Sequence, residues 1–294
     1  MKIVLCDKFD ATLPGRLAPY GEVSDDKNLV PEADVVLIRS KTKCTQEFID
    51  GAPNLKLIIR GGVGMDNVDK AYAKSKAIKA YNTPNASSIA VAELAFALML
   101  AMPNKLVTAH NTTAAGQFLK SELKRSELYN KTLGILGCGR IGLELAKRAR
   151  AFGMTVYAYD MIQIHSEYIH GQKSLEELLP LCDYFSLHLP LTPETTGMIN
   201  RERIARMKRG AYLVNTGRGK TVVEEDIVEA LQSGQLAGYA TDVFYAEPPE
   251  GSPLLSAPNV LLTPHLGAST SENLLRIADE VVILIDKFAK GQLD

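Results

Sequence analysis

The sequence predicts an α/β protein built from two doubly wound parallel-sheet domains. Three observations carry that expectation. Short apolar runs alternate with longer amphipathic ones over nearly the whole chain, the short runs lack apolar/polar alternation, and 294 residues is about twice the usual 150-residue domain. The runs at 2–6, 34–38, 55–59 and 78–81 are the strand candidates of the first half. Those at 132–136, 155–159, 184–187, 211–215, 238–242 and 260–263 are the candidates of the second. All are rich in Val, Ile, Leu and Tyr, as strands covered on both faces should be. Helix-like segments such as 45–51 and 67–76 lie between them, and this alternation implies right-handed βαβ units.

The stretch 86–116 divides the two halves. Its part 87–102 reads as one strongly apolar helix that Pro103 ends or kinks, and a second helical stretch runs from 105 towards 115. A helix that apolar all round must be buried, in the core or against another surface. A last helix, 271–290, follows the final strand and can return to the first domain. The expected division is therefore a discontinuous first domain, 1–98 plus 270–294, and a second domain, 99–269.

Composition narrows the function classes. Thirty-three basic and 34 acidic side chains leave a formal charge of -1, and no Lys/Arg run is long enough to form a footprint for nucleic acid or a membrane surface. The N-terminal MKIVLCDKFD meets Asp7 too early for a secretory apolar core, and the run 89–102 holds Glu93 and is too short to span a bilayer. Cys6, Cys44, Cys138 and Cys182 show neither a CxxC pair nor disulfide density, and His110, His165, His170, His188 and His265 show no metal-ligand spacing. The expectation is a cytoplasmic protein without a metal centre.

The chemistry begins at KTLGILGCGRIG (131–142), which sets Gly137, Gly139 and Gly142 in a G-x-G-x-x-G. Alone the pattern is weak. Here an apolar strand precedes it, an amphipathic helix (141–152) follows, and a second strand ends at Asp160. Gly137 serves the tight turn, Gly139 the close approach of backbone to a pyrophosphate, and Gly142 the packing of helix on strand. The helix N-terminus offers unbonded N–H groups and its positive end to the phosphates. Asp160 can accept hydrogen bonds from both adenosine ribose hydroxyls and would repel a 2′-phosphate, so NAD is expected over NADP. Cys138 lies between two of the glycines, where a helix N-terminus can activate a thiol; a plain small filler is the simpler reading.

Three later segments each place a reactive side chain just past a strand. AYLVNTGRG (211–219) presents Arg218, TDVFYAEPP (241–249) presents Glu247, and TPHLGAST (263–270) presents His265. Parallel strands put these loops on one carboxyl edge, the edge that holds the nucleotide. Singly they read as a solvated charge, a turn residue and a core histidine. Together at that edge they make a hydride-transfer site.

With these motifs, and with GGVGMDNVD (61–69), NTP (82–84) and HLPLTPETTGMIN (188–200), the chain resembles the D-isomer-specific 2-hydroxyacid dehydrogenases from near residue 1 to its end. Within them it is most similar to the 3-phosphoglycerate dehydrogenases, through IRSKTK (38–43), NTPN (82–85) and HLGAST (265–270). The resemblance implies a Rossmann NAD domain, a flavodoxin-like substrate domain and an Arg–Glu–His mechanism. Arg218 would hold the substrate carboxylate and C2 oxygen, His265 would take the hydroxyl proton, and Glu247 would orient His265 and favour its protonated form. Arg140 and Ile141 would sit over the pyrophosphate, and Leu189, Thr216, Gly217, Asp242, Gly267 and Ala268 would line the nicotinamide side. The resemblance also implies a homodimer through the 87–102 region.

Substrate choice is expected from the first domain. Arg39 and Arg60 each close an apolar strand beside the glycine loop, and two guanidinium groups suit a phosphorylated hydroxy acid. Backbone N–H groups around Gly62, Val63 and Gly64, with Asn82, would receive its carboxylate. Lys220, Met161, the run 161–173 and the lack of any tryptophan near 115–118 depart from the common pattern without removing a reactive group. The chain stops about two dozen residues after HLGAST, so a form without the serine-sensing C-terminal domain, and without serine inhibition, is expected.

The leading expectation is NAD-dependent oxidation of 3-phospho-D-glycerate to 3-phosphohydroxypyruvate, the entry to serine biosynthesis. The alternative within the class is a reductase of hydroxypyruvate, glyoxylate or another small 2-keto acid. The alternative from another class is an NAD(H)-sensing interaction protein.

Overall fold

The computed structural model describes residues 1–293, and these divide into two compact units. The first runs Met1–Ala90 and resumes at Ala268; the second is Val91–Gly267. Both crossings fall N-terminal to the expected boundaries at 98/99 and 269/270.

The first unit holds five parallel strands, β1 (Lys2–Leu5), β2 (Glu22–Ser24), β3 (Val35–Ile38), β4 (Leu57–Arg60) and β5 (Lys79–Asn82). Their spatial order is β2-β1-β3-β4-β5, the flavodoxin-like order. Every residue of β3 and β4 is buried, which is why VVLI and LIIR are apolar without alternation until Arg60. The 19-residue helix Ser271–Ala289 packs on this sheet. Its buried Ile277, Ala278, Val281 and Ile285 join Ile3, Leu5, Val35, Leu37, Leu57 and Ile59 in one core. Thr270 caps it, accepting from the Asn273 N–H at 3.1 Å.

The second unit holds seven parallel strands. They are β6 (Thr132–Leu136), β7 (Thr155–Tyr159), β8 (Gly171–Gln172), β9 (Tyr184–Leu187), β10 (Ala211–Asn215), β11 (Leu236–Thr241) and β12 (Val260–Leu262). The order β12-β11-β10-β9-β6-β7-β8 is that of a Rossmann sheet, with the change of direction between β6 and β9. The helix Arg140–Ala151 buries Gly142, Leu145, Ala146 and Ala149, a one-faced helical spacing that seats it on β6. The apolar helix Ser88–Ala101 buries Ala92, Ala95, Phe96, Leu98 and Met99 against Leu133, Ile135, Leu145 and Val156. Among the described residues no single helix is long and apolar enough to cross a membrane.

The ten expected strands form within two residues of their predicted ends. β2 and β8 are additions, and their cause is visible: both are short edge strands with no fully buried residue, so no apolar run marks them. The helix expected over 67–76 begins only at Lys70, because Asp69 caps it and the Asn67 side chain instead bonds the carbonyls of Arg39 and Thr42, both at 2.7 Å.

Ile277 has no exposed surface and is one of the contacts of the returning helix with the first sheet's core. Ile277→Ala should lower unfolding free energy by about 2–5 kcal/mol, read as a lower urea midpoint; an unchanged midpoint would place that helix outside the cooperative fold.

Candidate active site

The site in the second unit rests on strand register. Asn215, Thr241 and Leu262 stand side by side at the ends of β10, β11 and β12, and the loops that follow carry Arg218, Glu247 and His265. The first two loops meet backbone to backbone: a Cβ on Gly219 would lie 2.0 Å from the Phe244 carbonyl, so only glycine fits there.

The Arg218 and His265 loops are each held by a buried polar side chain at a strand end, Asn215 after β10 and Asp242 after the neighbouring β11. Asn215, fully buried, accepts from Gly217 N–H at 3.0 Å and donates to the Arg218 carbonyl at 3.0 Å. Thr221 adds a hydroxyl bond of 2.7 Å to that same carbonyl. The Arg218 backbone is therefore fixed, and its Nη1 donates to the Gly217 carbonyl at 2.8 Å. Asp242, also buried, accepts from the Thr263 hydroxyl at 2.6 Å and from the N–H groups of Leu266 at 2.7 Å and Gly267 at 2.8 Å. It clamps the loop on both sides of His265, whose backbone lies in the left-handed region at φ 54. A histidine is not at ease there, and the Asp242 bonds offset the strain.

His265 Nδ1 lies 2.7 Å from Glu247 Oε2. Glu247 Oε1 accepts from the Phe244 N–H at 3.3 Å. Burial pushes the Glu247 carboxyl up, but the hydrogen bond and charge of His265, the Phe244 N–H and the Arg218 charge outweigh it, so the group lies below its ordinary value. Glu247 is an anion facing an imidazole. With Nδ1 engaged, Nε2 is the nitrogen left to exchange a proton with a substrate.

The glycine turn has the shape a dinucleotide needs. Gly137 stands at φ 84, and a Cβ there would also meet the His188 carbonyl at 2.8 Å. Around Gly139 the Cβ direction is open space, and no side chain caps the helix that starts at Arg140. A Cβ on Gly142 would lie 2.8 Å from the Gly137 carbonyl. The three glycines thus answer to turn, open approach and tight packing. Asp160 faces the turn from the end of β7, its Oδ2 accepting from Cys138 N–H at 2.8 Å. The residues present fit NAD. Cys138 is fully buried and its thiol is pushed up to about 12 by burial, which makes it the filler and not a reactive thiolate.

Leu189 and Thr216 are nearly buried beside this turn, and Arg140 is exposed with Ile141 half-buried. The Thr216 hydroxyl lies 3.3 Å from His188 Nδ1, and Ser186 lies 3.0 Å from His188 Nε2. Burial pushes His188 down to about 4, so it is a neutral link between β9 and the β10 loop. Asn215, Thr221, His188 and the clamping role of Asp242 were not foreseen as such. The first stands inside VNTGRG, but nothing in a motif says which member bonds the turn.

The first unit carries the other candidates. Arg39 follows β3 and Arg60 ends β4, with Ile38 and Arg60 paired across the sheet. The Arg60 guanidinium lies over Gly62, where a Cβ would meet Nη1 at 1.6 Å. Arg39 donates from Nη2 to the Ala268 carbonyl at 2.9 Å and from Nη1 to the Lys8 carbonyl at 3.3 Å. Ala268 thus belongs to this unit, apart from Gly267, which bonds Asp242 in the other. In the glycine loop, Gly61 N–H bonds the Ile38 carbonyl at 2.8 Å and Gly62 N–H the Thr83 hydroxyl at 2.7 Å. The Asn82 amide bonds the Val63 carbonyl, tying the end of β5 to the loop.

Comparison with known proteins identifies the family. Residues 96–267 match the family described as D-isomer specific 2-hydroxyacid dehydrogenase, NAD binding domain. The chain is 46% identical over 262 residues to a hydroxypyruvate reductase of Thermotoga maritima, covering 88% of this chain and 86% of that one. It is 43% identical over 305 residues to a D-3-phosphoglycerate dehydrogenase of Methanocaldococcus jannaschii, covering 100% of this chain but 58% of that one. The chain therefore spans little more than half the length of that second relative. A D-lactate dehydrogenase of Aquifex aeolicus, solved with NAD and lactic acid, superposes with a TM-score of 0.87 at 33% identity, covering 99% of this chain and 96% of that one.

The pH dependence of the pair has a definite sign. A carboxyl whose folded pKa lies below its unfolded one stabilises the fold above the unfolded value, and that contribution is lost as pH falls through the folded one. The stability difference between the protein and its Glu247→Gln variant should shrink as pH falls from about 5 towards about 3, where the carboxylate is lost. Urea unfolding at each pH across that window measures it, and a difference that grows between about pH 5 and 3 would contradict the pairing.

Proposed function

The chain belongs to the D-isomer specific 2-hydroxyacid dehydrogenase family, and from that premise we propose that it oxidises 3-phospho-D-glycerate to 3-phosphohydroxypyruvate with NAD. The observation that carries the chemistry is the 2.7 Å contact of His265 with Glu247 on the loops beside Arg218. Gly137, Gly139, Gly142 and Asp160 would hold NAD, which when bound supplies the acceptor for the hydride from C2.

The rest is done by this chain's own residues. His265 Nε2 takes the proton of the C2 hydroxyl as the C2–H bond breaks, and the C2 oxygen becomes a carbonyl. Glu247 keeps the imidazole turned with Nδ1 inward and stabilises the imidazolium that forms. Arg218 binds the carboxylate and polarises the C2 oxygen, with a planar cation that matches both. In the reverse direction the same His265 is the acid.

Arg60, with Arg39, supplies the charge for the phosphate, and the Val63 and Gly64 N–H groups supply donors for the carboxylate. Both Nη atoms of Arg39 are bonded to backbone carbonyls. That observation, with the likeness to a hydroxypyruvate reductase over 88% of this chain, favours a second reading: reduction of hydroxypyruvate or another unphosphorylated 2-keto acid by the same catalytic trio. The reading also includes a cytoplasmic homodimer. The apolar helix Ser88–Ala101 is largely consumed by its own unit, so the surface offered to a second copy is the next stretch. There the helix Leu106–Ala114 has no buried residue, and Leu106, Val107 and Phe118 are exposed.

Initial rates of NADH formation with 3-phospho-D-glycerate, set against NADH consumption with hydroxypyruvate, decide between the two substrates. His265→Gln and Arg218→Ala should each lose about 10²–10⁴-fold in kcat with either. Replacing Arg39 and Arg60 together should lower kcat/KM for the phosphorylated acid by about tenfold or more and leave hydroxypyruvate turnover in place. Phosphoglycerate turnover that survives the double change unaltered would sink the phosphate assignment.

A further inference from the structure

The middle of the loop carrying Glu247 is exposed at 245–248 and 250–251, between the buried Phe244 and Leu254. It borders an open cavity of about 490 Å3 whose lining includes Lys220, Val222–Glu225, Tyr245, Ala246 and 249–253. Tyr245 and Glu250 are exposed. A loop over open space keeps its shape only through specific tethers.

Two such tethers converge on one side chain. Glu224, the first residue of the helix Glu224–Ser233, is only 6% exposed. Its Oε1 accepts from the Tyr245 N–H at 3.0 Å, and its Oε2 accepts from the Ser252 hydroxyl at 2.6 Å. These partners stand two residues before Glu247 and five after it. A third restraint is weaker: the Lys220 ammonium lies 4.8 Å from the centroid of the Tyr245 ring, joining the Arg218 loop to the Glu247 loop from the solvent side.

We infer that Glu224 is a positioning residue for the Glu247–His265 pair: by gripping both ends of the 245–252 loop it sets the carboxylate at the distance where it can hold the imidazole. It touches neither imidazole nor substrate, and it acts through Glu247 alone. The inference rests on the reading of Glu247 as the partner of His265. Removing the grip lets the loop sag into the cavity and breaks the 2.7 Å contact, while the glycine turn and Asp160, on other strands, stay as they are.

The test needs no substrate to begin. Side-chain nitrogen NMR of His265 in the free protein reports whether Nδ1 keeps its proton towards a carboxylate. In Glu224→Ala these signals should move to those of Glu247→Gln. In Glu224→Gln, whose amide can still accept from Tyr245 and donate to Ser252, they should stay near the parent's. Kinetics with hydroxypyruvate and with 3-phospho-D-glycerate then give the cycle. Glu224→Ala should lower kcat about tenfold in the parent and less than about twofold in Glu247→Gln, with KM and NADH affinity little changed.

Parent-like histidine signals in Glu224→Ala, or the same fold-loss in both backgrounds, would overturn the inference. If Glu247→Gln itself left the histidine signals and the rate unmoved, the catalytic pairing and this inference would fall together. If Glu247→Gln moved them and Glu224→Ala did not, Glu224 alone would be acquitted of the role.

Discussion

Parallel strands that end in register impose the first constraint on everything else here. Asn215, Thr241 and Leu262 form one row, so whatever follows each strand leaves the sheet from the same height. Arg218 and His265 lie three residues past that row and can be held by buried side chains at the strand ends, Asn215 for one and Asp242 for the other. Glu247 lies six past it, in the longer loop. Its distance to His265 is therefore the least protected by the sheet, and the tethers from Glu224 and the close Gly219–Phe244 approach stand where the sheet gives out.

The fold was legible because buried parallel strands must be apolar on both faces, and VVLI, TLGIL and AYLVN are. The dinucleotide turn was legible for a different reason. Each glycine answers to a separate steric demand, and the structure shows all three: φ 84 at Gly137, open space at Gly139, and a carbonyl 2.8 Å from where a Cβ would stand on Gly142. Edge strands and supporting polar residues were not legible. β8 is two half-buried residues with no apolar run. Glu224 reads in sequence as one of three acids opening a helix, the commonest place for a carboxylate to do no more than meet the helix dipole. Only the packing of a distant loop onto it shows that it is buried and bonded twice.

The same limit explains Asp242. Its position after β11 pointed to the nicotinamide side, and its motif neighbours made it a cofactor contact. Its two oxygens accept three bonds from the His265 loop, and that load is what allows a β-branch-free but still disfavoured histidine backbone at φ 54. A carboxylate in this state is part of the frame that holds the His265 loop.

The two arginines of the first unit show why residue type alone underdetermines a substrate. Arg39 and Arg60 are equivalent in sequence, each closing an apolar strand, and the sheet pairs their strands side by side. Packing separates them. Arg39 bonds the carbonyls of Lys8 and Ala268, so a phosphate would have to compete with two backbone acceptors for the same fork. Arg60 lies over Gly62, whose missing Cβ makes room for the guanidinium. Both arginines are drawn into contacts of their own and withdrawn from water, so those contacts, rather than the residue type, set what each can offer an anion.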